Sequence, residues 1–385
     1  MGGSERVVWE LARGLVARGH EARIVAPRTT RSLPEFSTID GVTLHRYHDP
    51  FMSFGVLYLP SLILARAALR ATVRRWPTDI VHAHHGISGL AAALADLGPR
   101  CYTFYGPWHL EFLSEATQRP DLTRLQRQTS RLWMPAKARL ARLIERAAVR
   151  RSEHVVVLSR FSARQVEDIH GVTRSRSTVI PGGVDLERFT LAADRRAARK
   201  ALGLAVDGSL LFTVRRLVPR MGLEGLLRAL VQLPGVRLVI GGSGILRGML
   251  EHTAVRFGVA DRVRFAGFIP DEQLARYYQA ADLVVLPSLA LEGFGLITLE
   301  ALACGTPVVA TPESGASDVL GSLEPTWLAP DREPTTFART VSGVLARLPS
   351  ESDLPLRCRA HAARYGWTRI VGEYERLYRA LRDRS

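Results

Sequence analysis

Lysine is almost absent from this chain: only Lys137 and Lys200 stand among its 52 basic residues, and the rest are arginine. Cysteine is scarce too. Cys101, Cys304 and Cys358 lie far apart, which excludes a disulfide framework and any Cys-rich metal knuckle. A reducing cytoplasm is therefore the default expectation. No apolar run reaches the length of a membrane-spanning helix. The opening Met1-Gly2-Gly3-Ser4-Glu5-Arg6 lacks the basic region and apolar stretch of a secretory signal. Asp-x-Asp occurs nowhere, so the usual carboxylate clamp for a catalytic divalent cation is missing. Zinc spacings and aromatic–basic RNA signatures are missing as well, and nucleic acid is not an expected partner.

What is present describes a globular chain. Its 385 residues suit two domains, and 46% hydrophobic with 23% charged residues exclude disorder. The net charge of +15 reads as a solvated arginine-rich surface, or as attraction to anionic lipid, nucleotide or acidic polymer. Short β-branched runs at 22–26, 42–47, 79–84, 101–105, 154–158, 177–180, 210–215, 237–241, 262–267, 282–287 and 306–311 alternate with helical patterns such as Glu5 to Arg18 and Glu224 to Leu233. That alternation predicts α/β architecture with parallel sheets covered by helices. A turn at Pro181-Gly182-Gly183 splits it into two Rossmann-like lobes, residues 1–180 with a returning helix at 365–385, and residues 181–364. Ligands are expected at the strand carboxyl ends, in a cleft between the lobes.

Residues 119–164 hold twelve basic residues against Asp121, Glu145 and Glu153, with Trp133, Leu132, Leu140, Leu143 and Ile144 at roughly helical spacing. Such a stretch fits a basic helix on a membrane surface, or a lobe-packing helix with an arginine-rich outer face. Pro135 interrupts the pattern and favours the second.

The segment with most chemistry is Glu292-Gly293-Phe294-Gly295-Leu296-Ile297-Thr298-Leu299-Glu300-Ala301-Leu302-Ala303-Cys304-Gly305. A strand ending at Pro287 feeds a loop with two glycines, which opens a helix. Glycines admit close backbone approach to a ligand, and a new helix offers N–H groups to a phosphate. Glu300, placed about two turns into that helix, faces back toward its start, and a carboxylate suits the vicinal hydroxyls of a ribose. Arg216 and Arg220, at a strand end and its loop, suit the forked acceptors of a diphosphate.

This stretch resembles the E-x7-E signature of retaining family 4 glycosyltransferases of GT-B fold. Val179 to Phe189, Phe212 to Gly222, Ile240-Gly241-Gly242-Ser243-Gly244, Phe265-Ala266-Gly267-Phe268 and Asp282 to Ser288 resemble further family segments in the expected order. The resemblance implies a nucleotide diphosphate-sugar donor, UDP favoured over GDP, with an unidentified glycan, lipid or small-molecule acceptor and no cofactor or metal. It implies that Glu300 holds the ribose and Glu292 the donor sugar, while the Gly293, Phe294, Gly295 and Leu296 amides touch sugar and phosphate. Arg216 and Arg220 meet the diphosphate, Gly242 and Phe268 lie near the base, and Gly3 belongs to the first-lobe glycine loop.

Two positions depart from the family pattern. Met221 stands where a lysine is usual. Tyr105, in Tyr102-Thr103-Phe104-Tyr105-Gly106-Pro107-Trp108-His109, stands where a histidine is usual, with His109 a candidate substitute four residues on. Glu292, Arg216, Tyr105 and His109 are thus the candidate catalytic residues. His82-Ala83-His84-His85 alternates across a strand, so its imidazoles do not converge on a metal. Gly241-Gly242-Ser243-Gly244 lacks the G-x-G-x-x-G spacing of a dehydrogenase. The implied reaction is front-face transfer with retention, metal-independent, the leaving phosphate helping to deprotonate the acceptor. A non-catalytic nucleotide-sugar-binding protein on the same scaffold is the alternative; no motif supports an epimerase. Finally, Gly2 to Val8 resembles a loop and helix that an apolar central strand should precede. The expectation is a first lobe lacking its first strand, with Met1 an internal or miscalled start.

Overall fold

The structure is a computed structural model. It describes residues 2–28, 30, 32–51, 58–116, 124–312 and 314–384, without the side chains of residues 112, 115, 116 and 124–132. Residues 119–123 of the basic stretch, and the side chains of 124–132, thus lie outside the described residues.

The chain runs α1 (Gly3–Ala17), β1 (Arg23–Pro27), β2 (Phe36–Ile39), β3 (Val42–Tyr47), α2 (Tyr58–Arg75), β4 (Val81–Ala83), α3 (Gly86–Leu94), β5 (Arg100–Phe104), α4 (Trp108–Ala116), α5 (Arg124–Arg151), β6 (His154–Val157), α6 (Arg160–His170) and β7 (Ser177–Val179). It continues through α7 (Arg195–Ala201), β8 (Leu210–Val214), α8 (Leu223–Val231), β9 (Arg237–Gly241), α9 (Arg247–Arg256), β10 (Val263–Gly267), α10 (Asp271–Ala280), β11 (Leu283–Leu286), α11 (Leu296–Ala303), β12 (Val308–Ala310), α12 (Ala316–Leu323), α13 (Pro334–Arg347), α14 (Leu354–Ala363) and α15 (Trp367–Arg382). Two compact units result. The first comprises residues 1–112, 133–182 and 367–385, the second 113–132 and 183–366.

In the first unit the strands form two separate ladders, β1-β3-β2 and β4-β5-β6-β7. Among the described residues no strand joins β1 to β4. The wholly parallel sheet expected from the alternation needs one correction, because β2 pairs antiparallel with β3. Asp40 and Gly41, at φ +51° and +77°, make the two-residue hairpin turn whose twist matches the flanking strands. Alternation along β5 and β6 builds two cores. Tyr102, Phe104, Val155 and Val157 face Ala148, Val149 and Val166 of α5 and α6. Cys101 and Val156 face Leu11 of α1 and Ile370, Val371, Tyr374 and Leu381 of α15. Each fully buried aliphatic side chain contributes about 1.5–3 kcal/mol. Glu375 of α15 ties the same helix to the end of α1, accepting from Arg18 Nε at 2.7 Å and meeting His20 Nε2 at 3.0 Å.

The second unit is a parallel five-stranded sheet of order β10-β9-β8-β11-β12. Its central strands are apolar on both faces: Leu283, Val284, Val285 and Leu286 of β11 are all buried, as a sheet covered on both sides requires. From β8 the chain winds outward through β9 to β10. From β11 it winds the opposite way to β12. The crossovers therefore diverge between β8 and β11, the switch point at whose carboxyl ends α/β sheets leave a crevice for ligands. No described helix is long and apolar enough to cross a membrane.

Candidate active site

Two loops meet at that switch point, residues 215–222 after β8 and 287–295 after β11. They are laced by backbone and side chain. Leu289 N–H donates to the Arg220 carbonyl at 2.9 Å, and Arg220 Nη1 donates to the Leu291 carbonyl at 3.3 Å. Contact is close enough to demand glycine at 222. Its φ is +69°, and a Cβ there would stand 1.8 Å from the Pro287 carbonyl oxygen. Gly242, at the end of β9, is fixed likewise, since a Cβ would lie 2.0 Å from the Arg215 carbonyl oxygen. Leu291, one residue before Glu292, holds φ +61°, a conformation that costs a branched residue about 1–3 kcal/mol.

Inside this junction Glu292 is buried and paired with a residue that motif reading passes over. Arg215 Nη2 donates to Glu292 Oε1 at 2.8 Å and Oε2 at 3.0 Å, while Nη1 reaches Ser288 Oγ at 2.9 Å and the Met221 carbonyl at 3.3 Å. Ser288 Oγ donates to Glu292 Oε2 as well. Alternation offered only half a signal: continued one residue past β8, it puts Arg215 on the face of Thr213 and opposite Phe212 and Val214, without saying which face closes. Arg216, its neighbour, is exposed, and Arg220 is buried.

Helix α11 starts at Leu296, with Gly295 as its N-cap at φ +74°. Glu300 is thus the fifth residue of the helix, just over one turn in rather than two. It is buried, and its Oε2 accepts the Tyr278 hydroxyl at 2.7 Å. Tyr278, on α10, carried no sequence signal, being one of two adjacent tyrosines. Gly293, Phe294, Gly295 and Leu296 lie at the mouth of α11, where the first N–H groups of a helix have no intrahelical acceptor; the Phe294 side chain is buried. Phe268, after β10, is 69% exposed, an aromatic face open to a planar group. The second unit therefore brings Arg215, Arg220, Gly242, Glu292 and the start of α11 around one sheet edge.

Gly3, Tyr105 and His109 belong to the first unit. Gly3 opens α1. Tyr105, following β5, donates to the Ser4 carbonyl at 3.5 Å and bonds His84 Nδ1 at 2.8 Å. His82, its ring centroid 4.1 Å from that of His84 and tilted 36° to it, bonds Thr103 Oγ1 at 2.8 Å and the Tyr378 hydroxyl at 2.5 Å. Burial pushes His84 down to about 3, so the cluster is neutral at pH 7. His109 lies on α4, buried, its Nδ1 without a hydrogen-bond partner. Burial first, then Arg142 and His170, bring it to about 4. Among the described residues no three His, Cys, Asp or Glu side chains are grouped to hold a metal ion.

Comparison with known proteins identifies the family. The family model described as Glycosyltransferase Family 4 matches residues 1–188, and that described as Glycosyl transferases group 1 matches residues 194–360. The chain is 32% identical to a D-inositol 3-phosphate glycosyltransferase of Geodermatophilus obscurus, over 99% of this chain and 85% of that protein. It is equally identical to one of Mycolicibacterium smegmatis, over 99% and 87%. Among solved structures it resembles sucrose-phosphate synthase from Thermosynechococcus elongatus (25% identity, TM-score 0.84, covering 100% of this chain and 94% of that one). Anabaena HepE in complex with UDP and glucose shares the fold (21% identity, TM-score 0.76, 99% and 96% covered).

Proposed function

The chain belongs to the group 1 glycosyl transferases of family 4 type, and on that premise we propose that it transfers a sugar from a UDP-linked donor with retention of configuration. The observation that carries the proposal is the placement of Glu292, Glu300 and the α11 N-terminus around the β8–β11 switch point. Glu300 binds the ribose, Phe268 and Gly242 border the base, and Arg216, Arg220 and the α11 amides meet the diphosphate. The bond from the anomeric carbon to the leaving phosphate oxygen breaks as the bond to the acceptor oxygen forms on the same face. The electron pair passes to the phosphate, which takes the acceptor's proton. Preorganised cations and amides aimed at that developing charge are the main source of rate, and they do so without a divalent cation. HepE complexes with UDP and UDP-glucose support UDP as the carrier, and the names of the inositol phosphate relatives make D-inositol 3-phosphate the first acceptor to try. The test is UDP release from UDP-sugars with and without D-inositol 3-phosphate, in EDTA. Release that requires magnesium or manganese overturns the metal-free mechanism; no release under any condition overturns the UDP donor.

A membrane-surface contact is part of this reading. Trp133, Leu140 and Leu143 are exposed along α5, beside the exposed Arg139, Arg142 and Arg150, the composition of an interfacial helix. Co-sedimentation with vesicles containing phosphatidylglycerol, lost on Leu143→Glu, is expected. Recovery with neither these vesicles nor pure phosphatidylcholine argues for a solvated face; equal recovery with both shows that the arginines play no part.

A further inference from the structure

We propose that Arg215 is a positioning residue for the donor sugar, acting through Glu292; the assignment rests on the donor-site reading above. Both terminal nitrogens of its guanidinium are spent on the protein, while Nε is buried without a hydrogen-bond partner. Nη2 grips both oxygens of Glu292, and Nη1 holds Ser288 Oγ and the Met221 carbonyl. Both partners are buried, the Arg215 side chain 2% exposed and that of Glu292 10%. Replacing a buried ion pair with well-packed apolar groups is often neutral or stabilising, so stability alone does not account for a charged fork at the sheet edge where ligands bind.

What the fork does is restrict Glu292. A carboxylate has about four lone-pair sites. Arg215 takes one on each oxygen, and Ser288 takes the second on Oε2. One direction remains, on Oε1. That oxygen faces Gly295, where a Cβ would stand 3.2 Å away; the missing side chain keeps this approach open beside the mouth of α11. Glu292 is thereby reduced to an acceptor for one hydroxyl, in one direction, next to the helix N-terminus that meets the phosphate.

The test uses the full chain with UDP as the nucleotide probe and UDP-glucose, UDP-galactose, UDP-N-acetylglucosamine and UDP-glucuronate as donors. Arg215→Met keeps length and removes the guanidinium; Arg215→Lys keeps the charge but has one nitrogen in place of the two that divide Glu292 from Ser288 and the Met221 carbonyl. UDP affinity by calorimetry is expected within about twofold of wild type for both, since uniform nucleotide binding is untouched. Sugar release from the best donor is expected to fall about 100-fold in kcat for Arg215→Met, with Arg215→Lys intermediate. Because Arg215→Met strands a buried carboxylate and can unfold the chain, the deciding comparison is Glu292→Gln against Arg215→Met/Glu292→Gln. If Arg215 acts only through Glu292, the double variant is no slower than the single one. Multiplied losses in the double variant, or a loss of UDP affinity in step with turnover, overturn the proposal. Wild-type kcat in Arg215→Met does so as well. A wild-type chain that fails to bind UDP, or binds it and releases sugar from none of the four donors, overturns the donor reading itself and the assignment with it.

Discussion

Tyr278 donates its hydroxyl to Glu300 Oε2 at 2.7 Å, linking α10 to the carboxylate that α11 presents beside the switch point. Glu300→Ala should therefore weaken UDP binding by about 1–3 kcal/mol, the range for losing a charge-assisted bond, and should also destabilise the fold by leaving a buried hydroxyl unpaired. Tyr278→Phe separates the two effects. It keeps the carboxylate, and should lower UDP affinity by no more than about 1 kcal/mol. Calorimetry with UDP and GDP measures both. Unchanged affinity in Glu300→Ala for both nucleotides removes Glu300 from the site.

Met221→Lys is expected to destabilise the chain. Met221 is buried and its carbonyl already accepts from Arg215, so a second cation would be desolvated beside a guanidinium. In an Arg215→Ala background the same lysine should be tolerated and should recover part of the lost turnover. Melting temperatures and UDP release on the two backgrounds provide the comparison; a lysine equally harmful in both shows that position 221 does not communicate with Arg215.

Arg220→Ala should hurt turnover more than Met221→Ala, because Arg220 is a cation that the 215–222 loop carries onto the 287–295 loop through Leu291, whereas Arg215 is held by the Glu292 carboxylate. Small and equal losses in steady-state kinetics would show that this loop does not reach the diphosphate.

Gly222→Ala should cost more than the strain of a positive φ alone, since the new Cβ meets the Pro287 carbonyl oxygen at 1.8 Å and neither backbone can yield without parting the two site loops. Loss of both stability and UDP binding is expected, by thermal melting and calorimetry. A variant as stable as wild type contradicts the close contact.

Acid should weaken the first unit. Burial lowers His84 to about 3 and His85 to about 4, from an ordinary 6.5. Above that ordinary value both folded and unfolded chains hold these imidazoles neutral, and they contribute no pH dependence. As pH falls below it, the unfolded chain binds protons that the folded chain refuses, so stability drops toward pH 4 and below. Melting temperature should fall between pH 7 and pH 5, and His84→Gln, which can still bond Tyr105, should flatten that slope. A slope unchanged by the substitution assigns the acid sensitivity elsewhere.

The donor-side loops were legible because their chemistry is local. Glu292 and Glu300 are eight residues apart on one loop and helix, with glycines at 293 and 295 that announce close approach. The strands were legible too, being apolar runs of four to six residues bounded by turns. The β2 hairpin was overlooked although Asp40-Gly41 is its signal, because Phe36-Ser37-Thr38-Ile39 is short and mostly exposed, with little apolar periodicity to read.

Spacing and residue type along the chain thus determined which segments become strands, where α11 begins to gather anion-binding groups, and that Met221 removes a cation. Tertiary structure alone decided which arginine of the Arg215-Arg216 pair turns inward. Alternation states that neighbours take opposite faces, but not which face another loop will close over. Seventy-seven residues separate Arg215 from Glu292. Only the packing of β8 against β11 brings them within hydrogen-bond reach, and burial then makes that one pairing costly to break.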